Sequence, residues 1–278
     1  MKKLFYFFII LLAVAFAACD NGQPEGPSNP DQPSDPSTGT FVAKPFSVSA
    51  TKTVTFSPGN LQYHPVNDEW RFAPNQTDYI GEANANISSS YNGWIDLFGW
   101  GTGNNPTNAS TDDNDYQTFV DWGVNQIGSY APNTWRTLTD DEWEYIIEKR
   151  SNADKLKGVA QVNGVNGLIL LPDSWNCPSG VTFKSGFDDD EGPEYYASYQ
   201  TFSASEWATL EASGAVFFPA AGIRFFDGNV FNVGFLGYYW SSTPNGSNYA
   251  LYLLFCSNGV GMSNYNRCFD HSVRLVQN

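Results

Sequence analysis

The stretch Tyr249-Ala-Leu-Tyr-Leu-Leu-Phe-Cys256 is apolar along almost its whole length. Read as a β-strand, it places Leu251, Leu253 and Phe255 on one face and Tyr252, Leu254 and Cys256 on the other. A strand covered on one face alternates apolar with polar residues, and this one does not. Either the strand is buried on both faces, or its second face is an exposed, adhesive surface. The residues that follow, Ser257-Asn-Gly-Val-Gly-Met-Ser-Asn-Tyr-Asn-Arg-Cys-Phe-Asp270, mix Asn, Gly, Ser and Tyr with Cys and Phe. Such a mixture is paratope-like: Tyr supplies contact area at low entropic cost, and small polar residues adapt to a partner.

Upstream, two helices announce themselves. Thr139-Asp-Asp-Glu142 is a capping box, with Leu138 and Trp143 at the staple positions and Trp143, Ile146 and Ile147 forming one apolar stripe. Ser203-Ala-Ser-Glu206 is a second box, with Phe202 and Trp207 as its staple and Gly214 as its C-cap. Strands flank them. Phe46-Ser-Val-Ser49, Thr53-Val-Thr-Phe56, Leu61-Gln-Tyr63 and Trp70-Arg-Phe72 are punctuated by turn residues and predict an antiparallel meander. Leu168-Ile-Leu-Leu171, Ala215-Val-Phe-Phe218, Gly237-Tyr-Tyr-Trp240 and Val273-Arg-Leu-Val276 predict further strands. The stretch from Ile80 to Asn114 has no period and reads as long loops around Trp94, Phe98 and Trp100. Strands, two helices and a closing run of strands give an α+β order.

The chain begins differently. Lys2 and Lys3 precede an apolar run from Leu4 to Ala18, too short to span a membrane comfortably. It ends in Phe16-Ala-Ala-Cys19, which resembles a bacterial lipobox. The expectation is a lipoprotein signal over 1–18, lipidation of Cys19 and a membrane partner reached through that anchor. Residues 19–40 are rich in Pro, Asp, Ser, Asn and Gly and read as a tether. Residues 41–278 then form the folded domain, its first part, to about 130, being strand-rich. Formal net charge is −15, and without Lys2 and Lys3 the balance is 12 basic against 29 acidic residues, or −17. Nucleic acid is excluded as a partner, since its affinity comes from clustered Lys and Arg. Between Phe231 and Asn266 the only ionisable groups are tyrosines and Cys256.

The segment Trp135-Arg-Thr-Leu-Thr-Asp-Asp-Glu-Trp-Glu-Tyr145 resembles the helix-start motif of formylglycine-generating-enzyme-type domains. Pro219-Ala-Ala-Gly-Ile-Arg224, Gly237-Tyr-Tyr-Trp-Ser-Ser242 and Ser272-Val-Arg-Leu-Val276 resemble the end of that fold. The likeness covers residues 130 to 278 and is closest to FISUMP-type lipoprotein domains of Gram-negative anaerobes. The C-terminal layout is also similar to variable proteins of diversity-generating retroelements. The resemblance implies a C-type-lectin-like fold, with antiparallel strands and two capped helices, on a cell surface at the outer membrane. It further implies that adenine-directed mutagenesis of Asn codons yields Tyr, Ser, Gly, Cys, Phe, Leu or Asp at ligand contacts. Tyr252, Leu254, Cys256, Asn258, Gly259, Gly261, Ser263, Asn264, Tyr265, Asn266, Cys268 and Phe269 all fall in that set, and a fixed relative with the same surface would show it too. Met262, Arg267 and the Ser272-Val-Arg274 frame would be scaffold. The ligand would be a protein or glycan.

Other chemistry is sparse. The sulfatase-modifying relatives use a close cysteine pair, whereas Cys256 and Cys268 are twelve apart and Cys177 stands alone in Trp175-Asn-Cys-Pro178. An enzyme of that type needs a thiol pair or metal ligands that meet in the fold, and a Cys256–Cys268 disulfide is compatible with an oxidising envelope. A structural or assembly lipoprotein, its apolar strand packed on a partner subunit, is the third reading. Asp112-Asp-Asn-Asp115 and Asp188-Asp-Asp-Glu191 are oxygen-rich, as Ca²⁺ loops are, but lack the EF-hand order and the Glu-Pro-Asn or Trp-Asn-Asp signatures of sugar-binding C-type lectins. They read as solvated loops, and no cofactor is implied. Glu142 reads as a cap and His271 as a turn residue. Trp94, Trp100, Trp122, Trp175 and Trp240 are the candidates for stacking on sugars, against a core role.

Overall fold

The computed structural model describes residues 41–278. The expected signal segment, Cys19 and the tether lie outside the described residues.

In chain order the strands before the first helix are β1 (Phe46–Ser47), β2 (Thr53–Phe56), β3 (Leu61–His64), β4 (Glu69–Phe72) and β5 (Leu97–Phe98). Then come α1 (Asp140–Glu144), β6 (Lys157–Val162), β7 (Val165–Leu170), α2 (Pro193–Tyr199), β8 (Thr201–Phe202) and α3 (Ala204–Ala212). The remainder is β9 (Val216–Pro219), β10 (Ile223–Arg224), β11 (Val230–Phe231), β12 (Gly237–Asn245), β13 (Tyr249–Cys256), β14 (Gly259–Asn266), β15 (His271–Ser272) and β16 (Val276–Gln277). The architecture is α+β, mostly antiparallel, with few helices.

Both capping boxes form. Thr139 accepts from the Glu142 amide at 3.2 Å, and Glu142 accepts back from the Thr139 amide at 3.0 Å. Glu142 also takes a forked pair of bonds from Arg136, at 2.7 and 2.9 Å. Ser203 and Glu206 repeat the box on α3, and Gly214 follows it with φ +94°. Beyond Glu144 the first helix loosens into a π turn, Tyr145–Lys149, which still delivers Ile146 and Ile147 to the core.

Two expectations need correction. A third helix, α2, is present without a side-chain cap: it starts on Pro193 after Gly192, whose φ of +149° suits glycine. The early strands are not one meander. β2 lies between β1 and β16, and β3–β4 is a separate hairpin. The reason lies on either side of the Ser57–Asn60 turn. The Ser57 amide donates to Leu275 and the Leu61 amide to Val273, so the chain's last segment occupies the place a meander would need.

Two larger sheets organise the molecule. One has the order β14-β13-β12-β15-β5, the other β8-β6-β7-β9. Side chains of β12 and β13 alternate between two cores. Tyr238, Trp240, Ala250 and Tyr252 enter the first; Tyr239, Leu253 and Phe255 enter the second. The second core is closed from the other side by Val159, Leu168, Leu170, Val216 and Phe218 of the four-stranded sheet, and by Trp143 of α1. The opposite face of that sheet, with Ile169 and Phe217, meets Trp207 and Leu210 of α3 in a third core. The apolar pattern of Tyr249–Cys256 is thus resolved: β13 is an interior strand with Ala250, Tyr252, Leu253, Phe255 and Cys256 buried across its two faces, Leu251 and Leu254 half-buried and Tyr249 exposed. Its approach to β12 is close, since a Cβ on Gly237 would meet the Phe255 ring at 2.1 Å.

Candidate ligand face

β13 and β14 pair without a bulge from Tyr249↔Asn266 to Cys256↔Gly259. Residues directly opposite share a face of the sheet. Ala250, Tyr252, Leu254 and Cys256 therefore lie with Tyr265, Ser263, Gly261 and Gly259 on the first-core side. Leu251, Leu253 and Phe255 lie with Asn264, Met262 and Val260 on the second-core side.

Four of the twelve expected ligand contacts are buried. Tyr252 is 2% exposed, ringed by Tyr238, Trp240 and His271 at centroid distances of 5.7, 5.9 and 4.5 Å. Cys256, Cys268 and Phe269 are buried as well. These four build the floor beneath the face; as the protein stands they offer a ligand little surface. They match the permitted residue set because an apolar floor draws on the same residue types. Asn264 is exposed, and Leu254, Asn258, Gly259, Gly261, Ser263, Tyr265 and Asn266 are half-buried. Space above Gly259 and Gly261 is open, with nothing within 4 Å of where a Cβ would stand.

The turn between β10 and β11 adds aromatics that the sequence reading missed. Phe226 is 56% exposed and Phe231 41%. Phe225 stacks on Phe269 at 5.0 Å and meets Phe231 at 4.9 Å, while Tyr265 packs on Phe269 at 4.5 Å. Phe226, Phe269, Asn266, Cys268, Asp113 and Thr111 line a shallow cleft of about 300 Å³. A signal was available: Phe225-Phe226 directly precedes Asp227-Gly228, and two adjacent Phe at a tight turn cannot both point inward.

Both ends of the hairpin are tied to acidic loops. At one end Asp113 accepts from the Asn266 side chain at 2.7 Å and from the Cys268 amide at 3.1 Å. At the other, Glu191 accepts from Asn258 at 2.9 Å, and the Asp188 amide donates to the Ser257 carbonyl at 2.9 Å. Among the described residues no three His, Cys, Asp or Glu side chains gather as a metal site. Asp112 caps the turn at Asn114, at 2.9 Å.

The thiols do not meet. Cys256 sits at the turn end of the ladder, and Cys268 lies beyond the far end, where Asn266 pairs with Tyr249. Seven rungs at about 3.4 Å put them more than ~20 Å apart, against the ~7 Å limit of a disulfide. Both are free, as is exposed Cys177. Burial and the neighbouring Asp113 push the Cys268 thiol up to about 12, and burial raises Cys256, so neither is a ready nucleophile. The thiol-pair enzyme therefore loses its pair, and the assembly reading loses its exposed apolar strand.

The remaining candidates are structural. His271 is not a turn residue: it lies in β15, fully buried, stacked on Trp240 at 3.8 Å. Burial holds it well below its usual pKa, and neither ring nitrogen has a partner among the described residues. Trp100, Trp122 and Trp240 are core; Trp94 lies under Arg71 at 3.6 Å, and Trp175 packs on the third core. Arg267 bonds the carbonyls of Gly246, Tyr249 and Tyr116 at 2.8, 3.1 and 3.2 Å, a scaffold role. Comparison with protein-family models, curated proteins and solved structures finds no match.

Proposed function

We propose that this chain is a surface lipoprotein of the outer membrane, anchored through Cys19, whose folded part is a C-type-lectin-like domain that binds a protein or glycan. The observation that carries this reading is the uncharged face formed by Leu254, Gly259, Gly261, Ser263 and Tyr265 beside exposed Phe226. It couples a rigid, doubly buried floor to an upper layer of small polar and aromatic side chains with room above them. Aromatic anchors on a rigid support, edged by Asn and Ser, are what a binding surface needs. No covalent step is part of the proposal. A retroelement near-copy of the last coding segment, differing only at template adenines, would distinguish a diversified face from a fixed one.

The test is capture of arrayed glycans and surface proteins by the full chain in detergent, with Phe226→Ala and Tyr265→Ala as variants. Each is expected to weaken capture by about tenfold or more, as hot-spot truncations do. Both side chains are partly exposed, so melting temperature should hold within a few degrees. Unchanged capture by both variants would remove the face from the account. The anchor is tested separately: Cys19→Ser should abolish incorporation of labelled fatty acid, and incorporation that persists would refute it.

A further inference from the structure

The two acidic clusters are fastened to the two ends of β14, the outer strand of the larger sheet. β14 is an edge strand: among the described residues it pairs with β13 alone. Cys256 and Gly259 flank a two-residue turn and so exchange both hydrogen bonds of their rung. Rungs alternate from there. Val260, Met262 and Asn264 fall on the rungs not bonded to β13, so their N–H and C=O groups point outward. Among the described residues, no hydrogen bond from another segment reaches those groups.

Protein edges are usually blunted with Lys, Pro, a bulge or brevity. β14 has none of these: eight residues, no charge, no proline and an unbroken register. The sheet's other edge, β5, is two residues long. A long, flat, neutral edge is a template for strand addition. Its two faces offer different environments for alternating side chains. Half-buried Val260 and Met262 present an apolar row on one, and Gly259 and Gly261 leave open space on the other.

Charge selects the occupant. The Asp188–Glu191 loop is fastened to the turn end of β14 and Asp113 to its other end. Asp140 and Asp141 lie on α1, which packs against the same hairpin. An antiparallel second copy would bring the Asp188–Glu191 end of one chain beside the Asp113 end of the other, and like charges would oppose. We propose that the β14 edge receives an extended peptide of a partner protein, neutral in its centre, with Lys or Arg at both ends about 25 Å apart.

The test uses the full chain in detergent and the peptide acetyl-Lys-Lys-Thr-Val-Thr-Val-Thr-Val-Lys-Lys-amide. Binding to the wild type is expected, weakening by about tenfold when Glu replaces every Lys, and falling with added salt. Asn264→Pro removes an outward N–H without touching the β13 ladder and should weaken binding about tenfold, whereas Asn264→Ala should leave it unchanged. If the proline variant fails to fold, amide exchange on the wild type decides: the peptide should protect Val260, Met262 and Asn264. Equal binding by a folded Asn264→Pro, equal binding of the Glu peptide, or no protection overturns the proposal. So does chain dimerisation that Asn264→Pro abolishes, which would make the occupant a second copy. Phe226→Ala should not affect the peptide; a loss there would assign it to the aromatic face, so the two readings fail separately.

Discussion

Buried His271 shows how an aromatic residue joins the floor of the candidate face at an electrostatic cost. It stacks on Trp240, touches Tyr238 and Tyr252 edgewise or obliquely, and leaves both nitrogens without partners. Its folded pKa is depressed by burial, so below the ordinary value near 6.5 the unfolded chain binds a proton that the folded chain refuses. Stability from this group is present above that value and falls as pH drops through it. His271→Phe keeps the stack and removes the titration. It should leave stability at pH 7 within about 1 kcal/mol and flatten the loss between pH 6.5 and 5, measured by urea unfolding at each pH. An unchanged acid slope would mean that carboxyl groups, not His271, set it. Tyr252 carries the related lesson for the site: its residue type fits a ligand contact, and its place in the core could not be read from type alone.

At the scale of elements, the helix starts were the most legible feature, because cap, staple and stripe are local and agree. Thr139→Ala should cost about 1 kcal/mol of stability by denaturant melts, since the Glu142 amide loses its acceptor. A change under a few tenths would mean that the Arg136–Glu142 pair alone holds that turn. α2 was not legible, since it has no capping side chain and begins on Pro193. Strand partners were not legible either. Alternation assigns faces to a strand but not neighbours, so the pairing of β2 with β16, across more than two hundred residues, left no mark in the pattern. The apolar strand and the Asn/Gly/Ser-rich run after it were legible from residue types; the two-residue turn Ser257-Asn258 and the register that join them as β13 and β14 were not. Which face of that hairpin was free depended on the opposing sheet.

At the scale of the whole fold, the two larger sheets and the three cores of residues 41–278 explain why so many strands are apolar on both sides. They also explain the charge pattern. Strands enclosed between layers hold an ion only with polar partners, as Arg224 is held by Asp270, so most of the acids collect on loops, and two of those loops frame the C-terminal hairpin. The neutrality of residues 231–266 was legible in composition; the contribution of Phe225, Phe226 and Phe231 from another hairpin was not, because only the fold brings them together. In the proposed reading the hairpin divides into a fixed floor and a free upper layer. A substitution scan of the displayed chain, read by protease resistance, tests this without knowing the ligand. Gly259, Gly261, Ser263 and Tyr265 are expected to accept most polar and aromatic residues with resistance retained, while Tyr252, Cys256 and Phe269 beneath them accept almost none. Equal intolerance at both sets would contradict the claim and make the whole hairpin core.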